Sequence, residues 1–316
     1  MKILIIILTI LFLILTGLFV WTRVQVAEIE AKFPPAGEFA PLSGGRFHYV
    51  DVPGSDAMPT LLFVHGASGN LNDQRGAYER ALAGEARMIF IDRPGHGYSD
   101  LTGATDPAKQ ADRYNELLNT LGIENVIVVC HSLGCASSAA LAVLHPGKVA
   151  GLVFVAPATH EWPGGVTWYY DVASTPVIGW VFTETLTLPF GRLGLQEGIT
   201  SVFGPSEAPS DYAKVSALEL VFRPEIFRNN AWDVSTLKSF VTKFSLHYKG
   251  IKVPTEIITG DTDDVVLPEI HSVGLERDID GARLTVLSGV GHKPDYVATD
   301  VVVKAIKSVA AQSSER

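Results

Sequence analysis

Hydrophobic positions fall along this chain in three distinct patterns. Residues 3–21 are almost purely apolar, interrupted only by Thr9, Thr16 and Gly17. Coiled as a helix they span about 28 Å, enough for the hydrocarbon core of a bilayer. From residue 60 onward the pattern changes to short apolar runs separated by glycine-containing loops. Six of these runs read as strands: residues 60–64, 88–92, 126–129, 149–155, 255–259 and 283–287. The run Val126-Ile127-Val128-Val129 has no polar member, which suits a central parallel strand covered on both faces. Directly after it, residues 135–144 are rich in helix formers and are stopped by His145-Pro146. The third pattern occupies residues 160–249. Four of the five tryptophans (Trp162, Trp168, Trp180 and Trp232) lie there, and between Trp162 and Pro205 only Asp171, Glu184, Arg192 and Glu197 are charged. That composition predicts a separate apolar packing unit inserted between two strands of the sheet.

The N-terminal run is longer than the apolar core of a cleavable signal, and no small-x-small cleavage site follows it. Trp21 and Arg23 have the character of interfacial anchors. The expectation is one retained span in a membrane. Lys2 on one side and Arg23 and Lys32 on the other nearly balance the positive-inside count. A very short N-terminal tail is more simply left inside, which places the rest of the chain outside the cytoplasm. Residues 31–39, with Pro34-Pro35 and Gly37, read as an extended spacer. The expected division is therefore an anchor over 1–23, a spacer over 24–40, a catalytic core built from 41–159 and 250–316, and an insertion over 160–249.

The formal charge of −9 and the pI of about 5.5, without any basic run, exclude nucleic acid as an expected partner. Cys130 and Cys135 are too few for a disulfide framework and lack metal-ligand spacing, so they read as small buried residues. No phosphate-cradling loop or repeat is visible, and neither a cofactor nor a metal is expected.

The chemistry concentrates where strands end. Residues 130–134 read Cys-His-Ser-Leu-Gly between the 126–129 strand and the following helix. A serine there sits on a sharp turn, its hydroxyl raised above the sheet beside the N–H groups of a helix N-terminus. Small residues must flank such a turn. Gly134 meets that need, whereas Cys130 stands where glycine is usual. An acyl-transferring serine needs a base, and the base an orienting acid. Asp263 follows the 255–259 strand and His292 follows the 283–287 strand, so nucleophile, acid and base occur in the order Ser132, Asp263, His292. After the 60–64 strand comes His65-Gly66-Ala67-Ser68-Gly69-Asn70, a loop that can expose N–H groups. The N–H groups of Ala67 and Leu133 are the expected oxyanion hole. His65 and His96 read as loop residues, and Asp92 as the residue that bonds the loop 93–99.

Together, the segments 65–70, 92–99, 130–134, 260–266 and 289–294 resemble the α/β-hydrolase superfamily, in its capped single-chain branch of esterases, ring-fission-product hydrolases and haloperoxidase-like enzymes. The resemblance runs from about residue 38 onward. It implies an α/β fold with a mostly parallel twisted sheet flanked by helices, and a helical cap over 160–249. It also implies which of three crowded aspartates is the acid. In the family the acid stands three residues after the glycine that ends the strand, and Gly260 plus three is Asp263. Asp261 then reads as a turn residue, and Glu161 is the fallback used by some relatives. Epoxide hydrolases and haloalkane dehalogenases carry an aspartate at the elbow, so Ser132 argues against both.

Three functions follow as expectations. The first is a serine hydrolase of apolar carboxylic esters. The second is a carbon–carbon bond hydrolase or cofactor-free haloperoxidase-like enzyme. The carbon–carbon hydrolase needs an arginine clamp that the sequence does not identify. The third is a non-catalytic binding protein on the same fold. The filled triad favours an enzyme, with a small apolar ester as partner and the membrane as a second partner through residues 3–21.

Overall fold

The apolar runs expected as strands lie side by side in one sheet, as seen in a computed structural model that describes residues 1–101 and 103–314. Two further strands precede them: β1 (Glu38–Leu42) and β2 (Gly45–Val52). The expected ones follow as β3 (Thr60–Val64), β4 (Met88–Ile91), β5 (Val126–His131), β6 (Val149–Val155), β7 (Thr255–Gly260) and β8 (Arg283–Leu287). The spatial order is β1-β2-β4-β3-β5-β6-β7-β8. β1 pairs with β2, and β2 with β4, antiparallel; every other pairing is parallel. The chain steps outward from β3 to β4 and then back past β3 to β5. That reversal opens a crevice beyond the carboxyl ends of β3 and β5, where open α/β sheets place their sites.

The sheet is covered on both faces, which is why its central strands need no polar alternation. α1 (Lys2–Lys32) lies at the N-terminus, outside the sheet layers, and α2 (Leu71–Tyr78), α3 (Pro107–Thr120) and α4 (Gly134–Leu144) belong to those layers. The insertion carries α5 (Trp168–Ser174), α6 (Pro176–Thr185), α7 (Thr187–Phe203), α8 (Tyr212–Val215) and α9 (Pro224–Phe244); α10 (Pro268–Asp278), α11 (Pro294–Val297) and α12 (Thr299–Ser314) complete the chain. One apolar layer joins α3, α4 and α10 to the sheet through residues such as Tyr114, Leu141 and Leu275. The opposite layer joins α2 and α12 through Leu71, Tyr78, Val302 and Ile306. Local chemistry sets the helix starts: Asp106 accepts the Lys109 N–H at 2.9 Å ahead of Pro107.

The expected spacer over 24–40 is not observed in that form. Helix α1 continues through Lys32, β1 begins at Glu38, and only residues 33–37 link them. The reason is an apolar stripe that the charges around it obscured in the sequence. Val26, Ile29 and Phe33 recur on one helical face, and they join a cluster made by Ala173, Leu188, Leu220 and Phe227 of the insertion. Pro34 ends the helix, because the residue before a proline is driven out of the α region; Phe33 sits at φ −127° and ψ 66°.

Candidate active site

Ser132 emerges from β5 with φ 51°, a left-handed conformation that costs a β-carbon-bearing residue about 1–3 kcal/mol. The turn is held by its backbone. The Ser132 N–H donates to Val155 O at 3.0 Å, and the Ser132 carbonyl accepts from Cys135 and Ala158 at 3.0 and 3.1 Å. Gly134 is obligatory, since a β-carbon there would lie 2.3 Å from the His65 carbonyl oxygen. At the position where glycine was the expectation, Cys130 is fully buried, with Sγ 3.7 Å from Val153 O.

The structure brings together the three side chains that were read from the ends of separate strands. Ser132 Oγ is 2.9 Å from His292 Nε2, and His292 Nδ1 is 2.7 Å from Asp263 Oδ2. All three residues are buried. Burial works against ionisation of Asp263, but the His292 ring and the N–H groups of Val266 and Val265, each 2.9 Å from Oδ1, outweigh it and hold the carboxyl below its usual range. Its neighbours are used differently. Asp261 accepts the Gly289 N–H at 2.7 Å and is exposed, Asp264 is exposed, and Glu161 points to solvent.

Among the described residues, neither the Ala67 N–H nor the Leu133 N–H has an acceptor, as an oxyanion site requires of its donors. The loop bearing Ala67 is pinned on both sides of that position. His65 Nδ1–H donates to Gly66 O at 2.8 Å, while its Nε2 accepts the Arg93 N–H at 3.0 Å. This pairing needs a neutral ring, and burial, with Arg93 close by, pushes the His65 pKa well down. Asp92 accepts the N–H groups of Leu71 and Tyr98, each at 2.8 Å, and packs so closely under Gly97 that a β-carbon there would sit 2.0 Å away.

Several residues around the site escaped the sequence reading. Asn230 of α9 accepts the Ser68 N–H at 2.6 Å, and the buried Arg93 pairs with Asp233 of α9 at 2.6 Å, with Gln110 alongside. The insertion is thereby bolted onto the loops that follow β3 and β4. The peptide of His292 is also held at both ends: its N–H donates to Val202 O of α7 at 3.1 Å, and its carbonyl accepts His131 Nε2–H at 2.9 Å. Burial and the nearby Lys293 push the His131 pKa well down, so this ring is a neutral donor. Asp73, His131 and Asp295 lie close enough to hold an ion, but the Lys293 ammonium already occupies that place, 3.0 Å from each carboxylate. Burial opposes the Lys293 charge and the two aspartates outweigh it, raising its pKa.

The geometry is that of a nucleophile, a base and an acid in series beside two free N–H donors. A profile of the alpha/beta hydrolase fold family matches residues 59–295. The chain belongs to the α/β-hydrolase family. This hydrolase is 30% identical over 276 residues to an uncharacterised protein of Mycobacterium tuberculosis, covering 83% of this chain and 77% of the relative. It is 27% identical over 280 residues to Lipase 1 of Psychrobacter immobilis, covering 84% and 82% of the two chains. Among solved structures, a lipase from Acinetobacter baumannii, described as putative, superposes with a TM-score of 0.69 at 18% identity, over 93% of this chain and 97% of that one. An esterase from Exiguobacterium antarcticum gives 0.67 at 20% identity, over 87% and 99%. The hydrolase therefore shares its fold with these enzymes and has lipases and esterases among its relatives.

Proposed function

We propose that the protein is a serine hydrolase that cleaves carboxylic esters of apolar substrates through an acyl-Ser132 intermediate. The observation that carries this reading is the continuous hydrogen-bond series from Ser132 Oγ through His292 to Asp263. Ser132 Oγ attacks the ester carbonyl as His292 Nε2 takes its proton. The N–H groups of Ala67 and Leu133 bind the oxyanion, each worth roughly 3 kcal/mol in acyl-transfer sites. Asp263 orients the ring and stabilises the imidazolium. The intermediate collapses with the leaving alcohol taking the proton from His292. Water then attacks the acyl group, gives its proton to His292 and frees the acid, returning that proton to Ser132. The buried apolar contact between Leu133 and Ala136 and the insertion residues Leu237 and Val241, with Trp162 packed against them, supports an apolar acyl group. The names of Lipase 1 from Psychrobacter immobilis and of a Haemophilus influenzae esterase/lipase, described as putative, point the same way. A carbon–carbon hydrolase needs a free arginine for its acid, and among the described residues the two buried arginines are already committed, Arg93 to Asp233 and Arg223 to Glu30 and Gly97 O.

Residues 160–249 act in this reading as a cap over the site, and residues 3–21 as a single membrane span with the catalytic domain outside the cytoplasm. The test is intact-mass analysis of the protein quenched during turnover of a slow p-nitrophenyl ester, with fluorophosphonate labelling alongside. An adduct that maps to Ser132 and vanishes in Ser132→Ala supports the mechanism. Undiminished hydrolysis in Ser132→Ala, or an adduct on Cys130, overturns it.

A further inference from the structure

The apolar surface of the molecule is unevenly placed. Six large hydrophobic side chains of α5, α6 and α7 face solvent: Trp168, Val177, Ile178, Trp180, Phe190 and Leu193, with exposures from 47% at Trp180 to 81% at Leu193. Between residues 172 and 191 the only charged side chain is Glu184, which is buried and paired. A contiguous exposed apolar patch of this kind marks an interaction surface.

Its neighbour says which kind. Helix α1 lies against the same helices through a stripe at helical spacing: Leu15, Leu18 and Phe19 are half-buried, and Thr22 and Ile29 are fully buried. Arg23 pairs with Glu184 of α6, and the Phe19 ring lies 6.2 Å from that of Trp180 of α6. Four residues back on α1 thus meet four residues back on α6, so the two helices run side by side in the same direction. At 1.5 Å per residue, the same register carries Val177 and Ile178 to the level of residues 16 and 17, roughly 6–8 Å inside Trp21. Further ion pairs, Glu30 with Arg223 and Lys32 with Glu219, fix α1 to the insertion below that level.

The geometry points to a second membrane contact: the tip of the insertion, made by the start of α6 and the adjoining end of α5, is embedded in the lipid interface beside the span, while α7 lies farther out, where Arg192 bonds Gln25 of α1. This deepens the functional reading above and rests on its membrane span. The expected depth matches the 5–10 Å typical of helices lying in a bilayer interface. Trp168 and Trp180 have the amphipathic rings found at that level. The occupant is a lipid surface because the patch is continuous with the apolar run of α1, and a span that enters the bilayer takes its flanking helix with it. The consequence is that the cap of the site faces the hydrocarbon, so an apolar ester can reach it from the membrane.

Spin labels on single introduced cysteines test this in the full chain reconstituted in bilayer nanodiscs; native Cys130 and Cys135 are fully buried and do not compete. Labels go on Ile7→Cys in the span, Val177→Cys and Ile178→Cys in the patch, and Val286→Cys on the edge strand β8. Collision with oxygen, which concentrates in lipid, is compared with collision with a water-soluble nickel chelate. The expected result is oxygen-dominated relaxation at positions 7, 177 and 178 and nickel-dominated relaxation at 286. If position 7 is in lipid while 177 and 178 match 286, the interfacial contact is wrong and the span stands. Shielding of 177 and 178 from both reagents means a second protein copy covers the patch, which also overturns the inference. A position 7 that collides with nickel removes the span and the contact together.

Discussion

Around Ser132 the sheet encloses everything it carries. Val64, Val129, Phe154 and Ile258 have no exposed surface, and behind the site the Lys293 ammonium is paired with both Asp73 and Asp295 out of reach of solvent. The insertion does not. Its inner face sets Leu237 and Val241 against the apolar wall at Leu133 and bolts Asn230 and Asp233 of α9 to core loops, and its outer face still carries Val177, Ile178 and Leu193 into the open. A half-buried element normally hides its apolar side and shows its polar side. This second, uncovered apolar side teaches that the two regions answer to different surroundings. The core is shaped by the reaction, which needs fixed donors and a dry wall. The insertion is shaped by the α1 helix beside it and by whatever that helix enters.

Substitutions separate these two demands, and the largest effect belongs to the nucleophile. Replacing Ser132 by Ala should lower turnover of a p-nitrophenyl ester by on the order of 10⁶, with no loss of thermal stability. Ser132→Gly should be equally inactive but more stable, by about 1 kcal/mol, because glycine accepts the positive φ at no cost. Calorimetry that ranks Ser132→Gly below the parent protein would break the claim that strain is stored at the elbow. Next, Asp263→Asn should reduce kcat by about 10⁴, since the wrong ring tautomer is then favoured. Asp261→Asn and Asp264→Asn, both at exposed carboxylates, should stay within a few-fold of the parent in the same steady-state assay.

Acid should attack the core by a third route. Burial, with Arg93 facing the ring, lowers the His96 pKa from its ordinary 6.5 to about 4. Burial and then His160 do the same for His271, whose Nδ1 accepts the backbone N–H groups of Thr159 and His160 at 3.2 and 3.0 Å. The unfolded chain binds these protons first, so stability declines as the pH falls from about 6.5 to about 4 and then levels off for these groups. For His96 alone the loss at pH 4 is on the order of 3 kcal/mol. The depressed Asp263 carboxyl has the same sign, adding a loss as it becomes protonated at lower pH. Urea denaturation at a series of pH values should therefore show a falling midpoint that His96→Gln flattens. A midpoint rising toward pH 5 contradicts the assignment of neutral buried rings.

The smallest expected effect on turnover lies outside the core. Ile29 of α1 is buried in the insertion's own cluster, so Ile29→Ala should cost about 2–4 kcal/mol locally, loosening α1 and the insertion, with kcat per folded molecule nearly unchanged. Hydrogen exchange of α5 and α6 should rise in that variant while β5 stays protected. Equal loosening of both would mean that insertion and core form one cooperative unit.

What could be read from residue order was whatever is local. The strands showed as unbroken apolar runs and the elbow as a strand-to-helix turn ending in Gly134. The choice of Asp263 over its neighbours came from a resemblance, and that of Asp92 from its loop. Each depends on a few consecutive residues and on rules of backbone geometry, so the chemical alphabet of the site was visible before any folding. The hairpin of β1 and β2 and the helical state of residues 24–32 were not. β1 pairs locally with β2, but β2 leans on the distant β4, residues 24–32 lean on the insertion, and charges mask the stripe of Val26, Ile29 and Phe33. Nor could the order of residues show that Arg93 meets Asp233, that His131 holds the carbonyl of His292, or that Arg23 reaches Glu184. Those contacts join segments 140, 161 and 161 positions apart, and nothing in one segment encodes the address of the other. By itself the sequence determined the elements and the reactive residue types. Only the tertiary structure decided which polar groups meet, because buried charges and hydrogen-bonding groups are tolerable only with a partner, and the partner is supplied by packing.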